Sequence, residues 1–173
     1  PGADGAAGVV LDVKTGHVIA MASNPTYDPS VWTGGISEAE YQRLLSDKAG
    51  RPLVSRATNG QFAPGSTFKI VTISGALESG IVTPSTKFTL PYEIQVADLK
   101  IHDAEPRGTQ TMTTDQILSR SSNVGVVTIA QEVGEAGIND WIHRFGFGRP
   151  TGIDYPGESK GIVLPPEKWS GST

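Results

Sequence analysis

Pro64-Gly65-Ser66-Thr67-Phe68-Lys69-Ile70-Val71-Thr72-Ile73-Ser74-Gly75-Ala76-Leu77-Glu78-Ser79-Gly80 decides how this chain is read. From Ser66 onward the apolar residues Phe68, Ile70, Val71, Ile73, Ala76 and Leu77 recur at three and four, so Ser66–Ser79 is predicted to be a helix. Gly80 supplies the stop. Apolar side chains cover more than half the circumference, which predicts a centrally buried helix. A serine hydroxyl is a weak nucleophile at neutral pH and needs a neighbouring base. Three residues apart at a helix start, Ser66 and Lys69 share a face, which puts the amine within direct reach of the hydroxyl. Burial lowers a lysine's proton affinity and makes the neutral amine available. The unpaired N–H groups of a first turn suit a developing oxyanion. Against this, Ser-x-x-Lys arises by chance in about one such chain in two, and serine at a helix start is often only a cap.

Outward from that helix, Gly8–Val13 and His17–Ala22 read as two strands joined by a Lys14-Thr15-Gly16 turn. Apolar residues on both faces predict a hairpin covered on both sides. Ser23–Gly60 reads as a long connection, functional or mobile, holding a short helix at Ser37–Leu45 with Ser37 and Glu40 at capping-box spacing. Lys87–Thr113 reads as short strands and turns. Helices follow at Thr114–Arg120, with Thr113 or Thr114 as N-cap, at Asn123–Val133 ending at Gly134, and at Ile138–Phe145 closed by Gly146 and Gly148. The order points to a mixed α+β or α/β class.

Ser121-Ser122-Asn123 lies between two of these helices. A hydroxyl there can relay a proton, and the Asn123 amide can hold both a lysine ammonium and a substrate carbonyl. The plain alternative is a helix junction in which Ser122 or Asn123 caps the second helix. His17, His102 and His143 form no spaced metal pair, and His143 reads as a surface or hydrogen-bonded histidine. His102-Asp103 is a possible dyad, but Glu105, Pro106 and Gly108 give it the look of an exposed turn. No nucleophile elbow, phosphate loop or dinucleotide fingerprint is present.

The 173 residues suit one ordinary domain, expected to bury roughly 70% of its unfolded surface. Twenty-one Gly and 12 Pro predict many turns and argue against a helical bundle or coiled coil. A net charge of −4 without a basic block argues against a nucleic-acid partner. The lack of cysteine removes thiol nucleophiles, disulfides and thiolate zinc sites, and fits an oxidising compartment. The chain opens on Pro1, and no apolar run reaches the roughly 18 residues of a membrane span. The tail Pro165–Thr173 reads as loop. Together these features suggest a soluble piece of a longer protein that ends before its fold does.

Taken together, the chain resembles the transpeptidase domain of class B penicillin-binding proteins. The resemblance rests on Gly8–Ala22, Met21-Ala22-Ser23-Asn24-Pro25-Thr26-Tyr27-Asp28-Pro29, Arg56-Ala57, Pro64–Lys69, Arg120-Ser121-Ser122-Asn123-Val124-Gly125, and Phe145-Gly146-Phe147-Gly148 with Thr151-Gly152-Ile153. It implies a mixed α/β fold of the penicillin-binding-protein and serine β-lactamase kind, carried by residues 1–173 as a partial domain. The opening hairpin and the helical part are present and the later sheet strands missing. It implies Ser66 as acylated nucleophile, Lys69 as base, Ser121 as proton relay to the leaving amine, and Asn123 as the group orienting Lys69 and the substrate amide. Gly65 and Ser122 are the implied substrate-binding residues. The implied substrate is the D-Ala-D-Ala end of a peptidoglycan stem peptide, with β-lactams acylating the same serine.

The same resemblance implies no metal and no organic cofactor. The parent protein is expected at the extracytoplasmic face of the bacterial membrane, anchored upstream, with cell-wall synthesis proteins as partners. The family's third motif, Lys-Thr-Gly on an inner strand, is not matched. The only Lys-Thr-Gly, at Lys14–Gly16, is a hairpin turn, expected to be exposed and remote from Ser66. Class D β-lactamases and related sensor domains share Ser-Thr-Phe-Lys but usually carry Ser-x-Val where this chain has Ser121-Ser122-Asn123. A non-catalytic cell-wall module is the other alternative.

Overall fold

The computed structural model describes residues 4–170 and divides into two compact units, 1–62 with 152–159, and 63–151 with 160–173. The last residues of the predicted tail loop, Gly171–Thr173, lie outside the described residues. Pro166–Lys168 within it forms a 3-10 turn.

In the first unit, β1 (Ala6–Leu11) and β2 (Val18–Asn24) pair antiparallel, with a register shift between Val10 and Leu11. The turn forms where expected. Asp12 Oδ1 accepts the Lys14 and Thr15 N–H groups at 2.9 and 2.8 Å, so a side chain stands in for the missing strand bonds. Lys14 is exposed. The expectation of a sheet covered on both faces fails within this unit. Val10 is 54% and Ile19 67% exposed.

The long connection is more ordered than its sparse periodicity suggests. Asp28 caps a 3-10 turn at Pro29–Trp32, and Trp32 meets Tyr27 and Tyr41 edge-on. Helix α1 (Glu38–Leu45) starts as predicted, with Ser37 Oγ accepting the Glu40 N–H. The reciprocal half of the box is absent because Glu40 pairs with Arg43 instead. Residues 152–159 return to this unit through Asn59 Nδ2 to the Gly157 carbonyl and Ser159 N to the Thr58 carbonyl, both at 2.9 Å.

The second unit is built on α2 (Lys69–Glu78), which packs against α4 (Asn123–Arg144). Close approach is possible because Gly75 has no side chain: a Cβ there would stand 2.7 Å from the Trp141 ring. Strands β3 (Lys87–Leu90) and β6 (Gln110–Thr113) pair antiparallel and enclose the hairpin of β4 (Glu93–Val96) and β5 (Leu99–His102). Helix α3 (Thr114–Ser119) begins with a complete capping box of Thr113 and Gln116. The core joins Ile73 and Ala76 of α2, Leu90, Met112, Ile117 of α3, and Val124, Val126 and Ile129 of α4. The two helices predicted either side of Gly134 both form within α4, separated by the non-helical backbone of Gly134 itself (φ 74°, ψ 166°).

Candidate active site

The predicted helix at Ser66 starts as a 3-10 turn, Gly65–Phe68, and becomes α-helical at Lys69. In a 3-10 turn the side chains at i and i+3 eclipse, so Ser66 and Lys69 stand on one side of the chain. Gly65 makes the entry with φ +56°, a region open to glycine at little steric cost. Ser66 is exposed, whereas Lys69 is 9% exposed. Six of the ten residues of α2 are buried, as its wide apolar surface predicts, and Lys69 is one of them.

The α3–α4 junction carries the second half of the site. The Ser121 N–H bonds to the Leu118 carbonyl at 3.0 Å and the Ser122 N–H to the Ile117 carbonyl at 2.9 Å. This is the paired closure of a Schellman helix end, with Ser121 in the left-handed position at φ +55°. Non-glycine residues reach that region at a cost of about 1 kcal/mol or more. The turn presents both oxygens of Ser121 to one amine. Lys69 Nζ donates to the Ser121 carbonyl at 2.6 Å, to Ser121 Oγ at 2.9 Å and to Asn123 Oδ1 at 2.6 Å. Three acceptors match the three protons of an ammonium.

Lys69, Ser121 and Asn123 are therefore brought together as expected. The direct reach from Lys69 to Ser66 is not made. Among the described residues the Ser66 hydroxyl has no hydrogen bond, because the lysine's three protons already have partners. Ser122 N-caps α4: its Oγ accepts the Gly125 N–H at 3.0 Å. The plain cap reading thus holds for the middle residue of the motif and the chemical geometry for the residues flanking it. Ser122 is 3% exposed and faces into the fold.

Burial pushes the Lys69 amine below the ordinary lysine value, and the Asp103 carboxylate opposes part of that fall. Glu105, Pro106 and Gly108 are exposed, as expected of a turn, but Asp103 itself is turned into the fold. Asp103 is 7% exposed, and accepts the Ser122 hydroxyl at 3.0 Å, the Val124 N–H at 3.1 Å and the Arg107 guanidinium at 2.6 Å. Burial alone would raise its carboxyl. The bonds from Val124, Arg107 and Ser122 outweigh it and hold the group below the usual carboxylate range. The signal in sequence is the spacing of Asp103 and Arg107, masked by the polar and turn-forming residues between and beyond them.

His102 contributes its carbonyl, which accepts Asn123 Nδ2 at 2.9 Å, rather than a catalytic dyad. His143 is not exposed, and its buried Nδ1 has no hydrogen-bond partner among the described residues, against the surface or hydrogen-bonded histidine expected. A cavity of about 410 Å³ opens at the site, lined by Lys69, Asn123, Lys100, Ile101, His102, Val126 and Val127. Among the described residues no cluster of three His, Asp or Glu is placed to hold a metal ion. No helix there is long and apolar enough to cross a membrane.

Residues 6–173 match the family model of the penicillin binding protein transpeptidase domain. The chain is 40% identical over 172 residues to penicillin-binding protein PbpB of Mycobacterium tuberculosis, covering 99% of this chain and 24% of that protein. It is 34% identical over 166 residues to peptidoglycan D,D-transpeptidase MrdA of Escherichia coli K12, covering 95% and 26%. The chain thus spans about a quarter of these relatives' length. The crystal structure of penicillin binding protein 3 from M. tuberculosis, complexed with aztreonam, superposes with a TM-score of 0.81 at 38% identity, over 98% of this chain and 35% of that one. PBP2 of Pseudomonas aeruginosa, in complex with WCK 5153, gives 0.83 at 32% identity, over 92% and 36%. On sequence and fold together, this chain belongs to the class B penicillin-binding protein transpeptidase family.

Proposed function

We propose that the chain carries the acylating centre of a penicillin-binding D,D-transpeptidase that cross-links peptidoglycan stem peptides. The observation that carries this reading is the Lys69 amine held between Ser121 and Asn123, one helical step from an exposed serine.

Lys69, as neutral amine, takes the Ser66 Oγ proton while Oγ attacks the carbonyl carbon of the penultimate D-Ala. The N–H of Ser66 meets the developing oxyanion. Ser121 Oγ passes the proton to the departing amine of the terminal D-Ala, whose C–N bond breaks to leave a Ser66 ester. Asn123 holds the lysine with its oxygen, and the substrate amide lies alongside. An amine from a second stem then attacks the ester carbonyl, a new amide forms, and the proton returns to Ser66. A β-lactam enters by the same first step and remains as the ester. Gly65 borders the substrate at the helix entry, and Ser122, turned into the fold, supports the site by holding the turn beneath it. No cofactor takes part, and the protein carrying the chain works at the outer face of the bacterial membrane with other wall-synthesis proteins.

The test is a labelled penicillin followed by mass analysis, on the full chain and on a polypeptide joining it to a Lys-Thr-Gly strand. An adduct on Ser66, absent from Ser66→Ala, is expected. A polypeptide with both segments and no Ser66 adduct overturns the reading.

A further inference from the structure

Asp103 touches none of the residues assigned to bond making. Its hydrogen-bond partners all lie within the fold. Oδ1 accepts the Ser122 hydroxyl and the Val124 N–H; Oδ2 accepts Arg107 Nη2 and Nε at 2.6 and 2.9 Å. Arg107 is held in turn by the carbonyls of Leu90 and Gly108 at 2.9 and 3.0 Å. The preceding residue, His102, accepts Asn123 Nδ2 through its carbonyl. A dipeptide, His102-Asp103, thus grips the tripeptide Ser122-Asn123-Val124, and Arg107 locks the dipeptide from behind.

We propose that Asp103 is a positioning residue for the acylation step, acting through the Asn123 amide and as the counter-charge of the Lys69 amine. This rests on the transpeptidase reading above.

Two features argue that the role exceeds scaffolding. First, a buried ion pair is poor value as a fold anchor, because apolar residues of like volume commonly serve as well or better. What apolar residues cannot do is accept a hydroxyl and a backbone N–H at a helix N-terminus, where an anion is also favoured. Second, the Asn123 amide has one orientation only. Its Nδ2 must donate to the His102 carbonyl, so its Oδ1 must face Lys69. Any drift of the 102–103 segment therefore moves the lysine's partner. The charged or titratable groups facing Lys69 are Asp103, with Arg107 behind it, and Lys100 and His102 across the shared cavity. Asp103 is the anion of that set.

The test uses Asp103→Asn and the double variant Asp103→Asn with Arg107→Gln, which removes the stranded guanidinium. Three quantities are followed: thermal melting, the titration midpoint of Lys69 by ¹³Cε-lysine NMR on the full chain, and penicillin acylation rate against pH. The single variant is expected to melt lower and to acylate on the order of 10–100-fold more slowly, the scale of a small misplacement of reacting groups. The double variant is expected to regain its melting temperature but not its rate, and its Lys69 midpoint is expected to fall below wild type, moving the acid limb of the rate profile with it. A double variant whose rate returns with its fold, and whose Lys69 midpoint is unmoved, overturns the proposal. The acylation rates are read on the polypeptide that joins the chain to a Lys-Thr-Gly strand; if its unsubstituted form acylates at no pH, the transpeptidase reading fails instead, and the Lys69 midpoint decides the role of Asp103: a fall supports it and no change removes it.

Discussion

Ser121 closes α3 in the backbone position that Gly80 takes at the end of α2. Both helix ends carry the same paired closure, from Gly80 and Ile81 to Leu77 and Ala76, and from Ser121 and Ser122 to Leu118 and Ile117. Both residues have positive φ, +70° and +55°. At Gly80 the choice follows ordinary helix-stop chemistry. At Ser121 a side chain has been kept where glycine is preferred, and its oxygen reaches Lys69.

Ser121→Gly and Ser121→Ala both delete that oxygen but differ in backbone freedom. Ser121→Gly is expected to exceed Ser121→Ala in stability by about 1 kcal/mol, since only alanine retains the left-handed penalty. Both are expected to lose penicillin incorporation. Urea unfolding of the pair is the measurement. Equal stabilities would mean that the helix end relaxes away from positive φ.

Lys69→Ala is expected to reduce acylation of Ser66 by about 10²–10⁴-fold, the range of a lost general base. Stopped-flow acylation with a chromogenic β-lactam reads it directly. A reduction below tenfold would assign the base elsewhere.

Gly75→Ala sets two effects against each other. Alanine raises helix propensity by about 1 kcal/mol over glycine. Its Cβ would meet three Trp141 ring atoms at 2.7–3.0 Å, and overpacking of that kind costs about 1–3 kcal/mol. The clash is expected to win, because an indole clamped between helices cannot swing aside like a lysine tip. A lowered melting temperature checks this, and a raised one would show that α2 and α4 separate freely.

Asp103 contributes to the acid limb of stability. Its folded-state carboxyl lies below the ordinary 3.8, so the unfolded chain binds the proton more tightly. The contribution is complete above about pH 5 and is lost as pH falls through the folded value. Lys69 has the opposite sense. Its amine is depressed from 10.5, so burying it opposes folding at neutral pH, and that opposition fades as pH rises toward the unfolded value. Unfolding free energies from pH 2 to 6 are expected to slope upward in wild type and less so in Asp103→Asn.

The helical frame of the second unit was legible because its signals are local. Capping residues at Ser37 and Thr113, the stop at Gly80 and the break at Gly134 each act within one or two turns of the residue that encodes them. Lys69, Ser121 and Asn123 were legible through motif spacing, although they are separated by 52 and 54 positions in the chain. Asp103 was not legible. Its burial depends on Arg107 and on Ser122, and no periodicity reports an ion pair folded against a helix N-terminus. The uncovered hairpin escaped for the reverse reason, since an alternation pattern records which faces are apolar and says nothing of what meets them.

The hairpin β1–β2 has a physical consequence for anyone handling the chain in solution. Among the described residues each of its strands has a hydrogen-bonding edge with no further strand paired to it, and Val9, Val10, Val18 and Ile19 stand 41–67% exposed beside those edges. Ribbons with unpaired edges and apolar sides template the addition of more strand. Light scattering should therefore rise with concentration, and a lysine replacing Ile19 should suppress the rise without disturbing the Lys69 site, whose hydrogen bonds all belong to the other unit. In this molecule the exposed hairpin and the hydrogen bonds of Lys69 belong to separate stretches of chain, so a change at one can be made without touching the other.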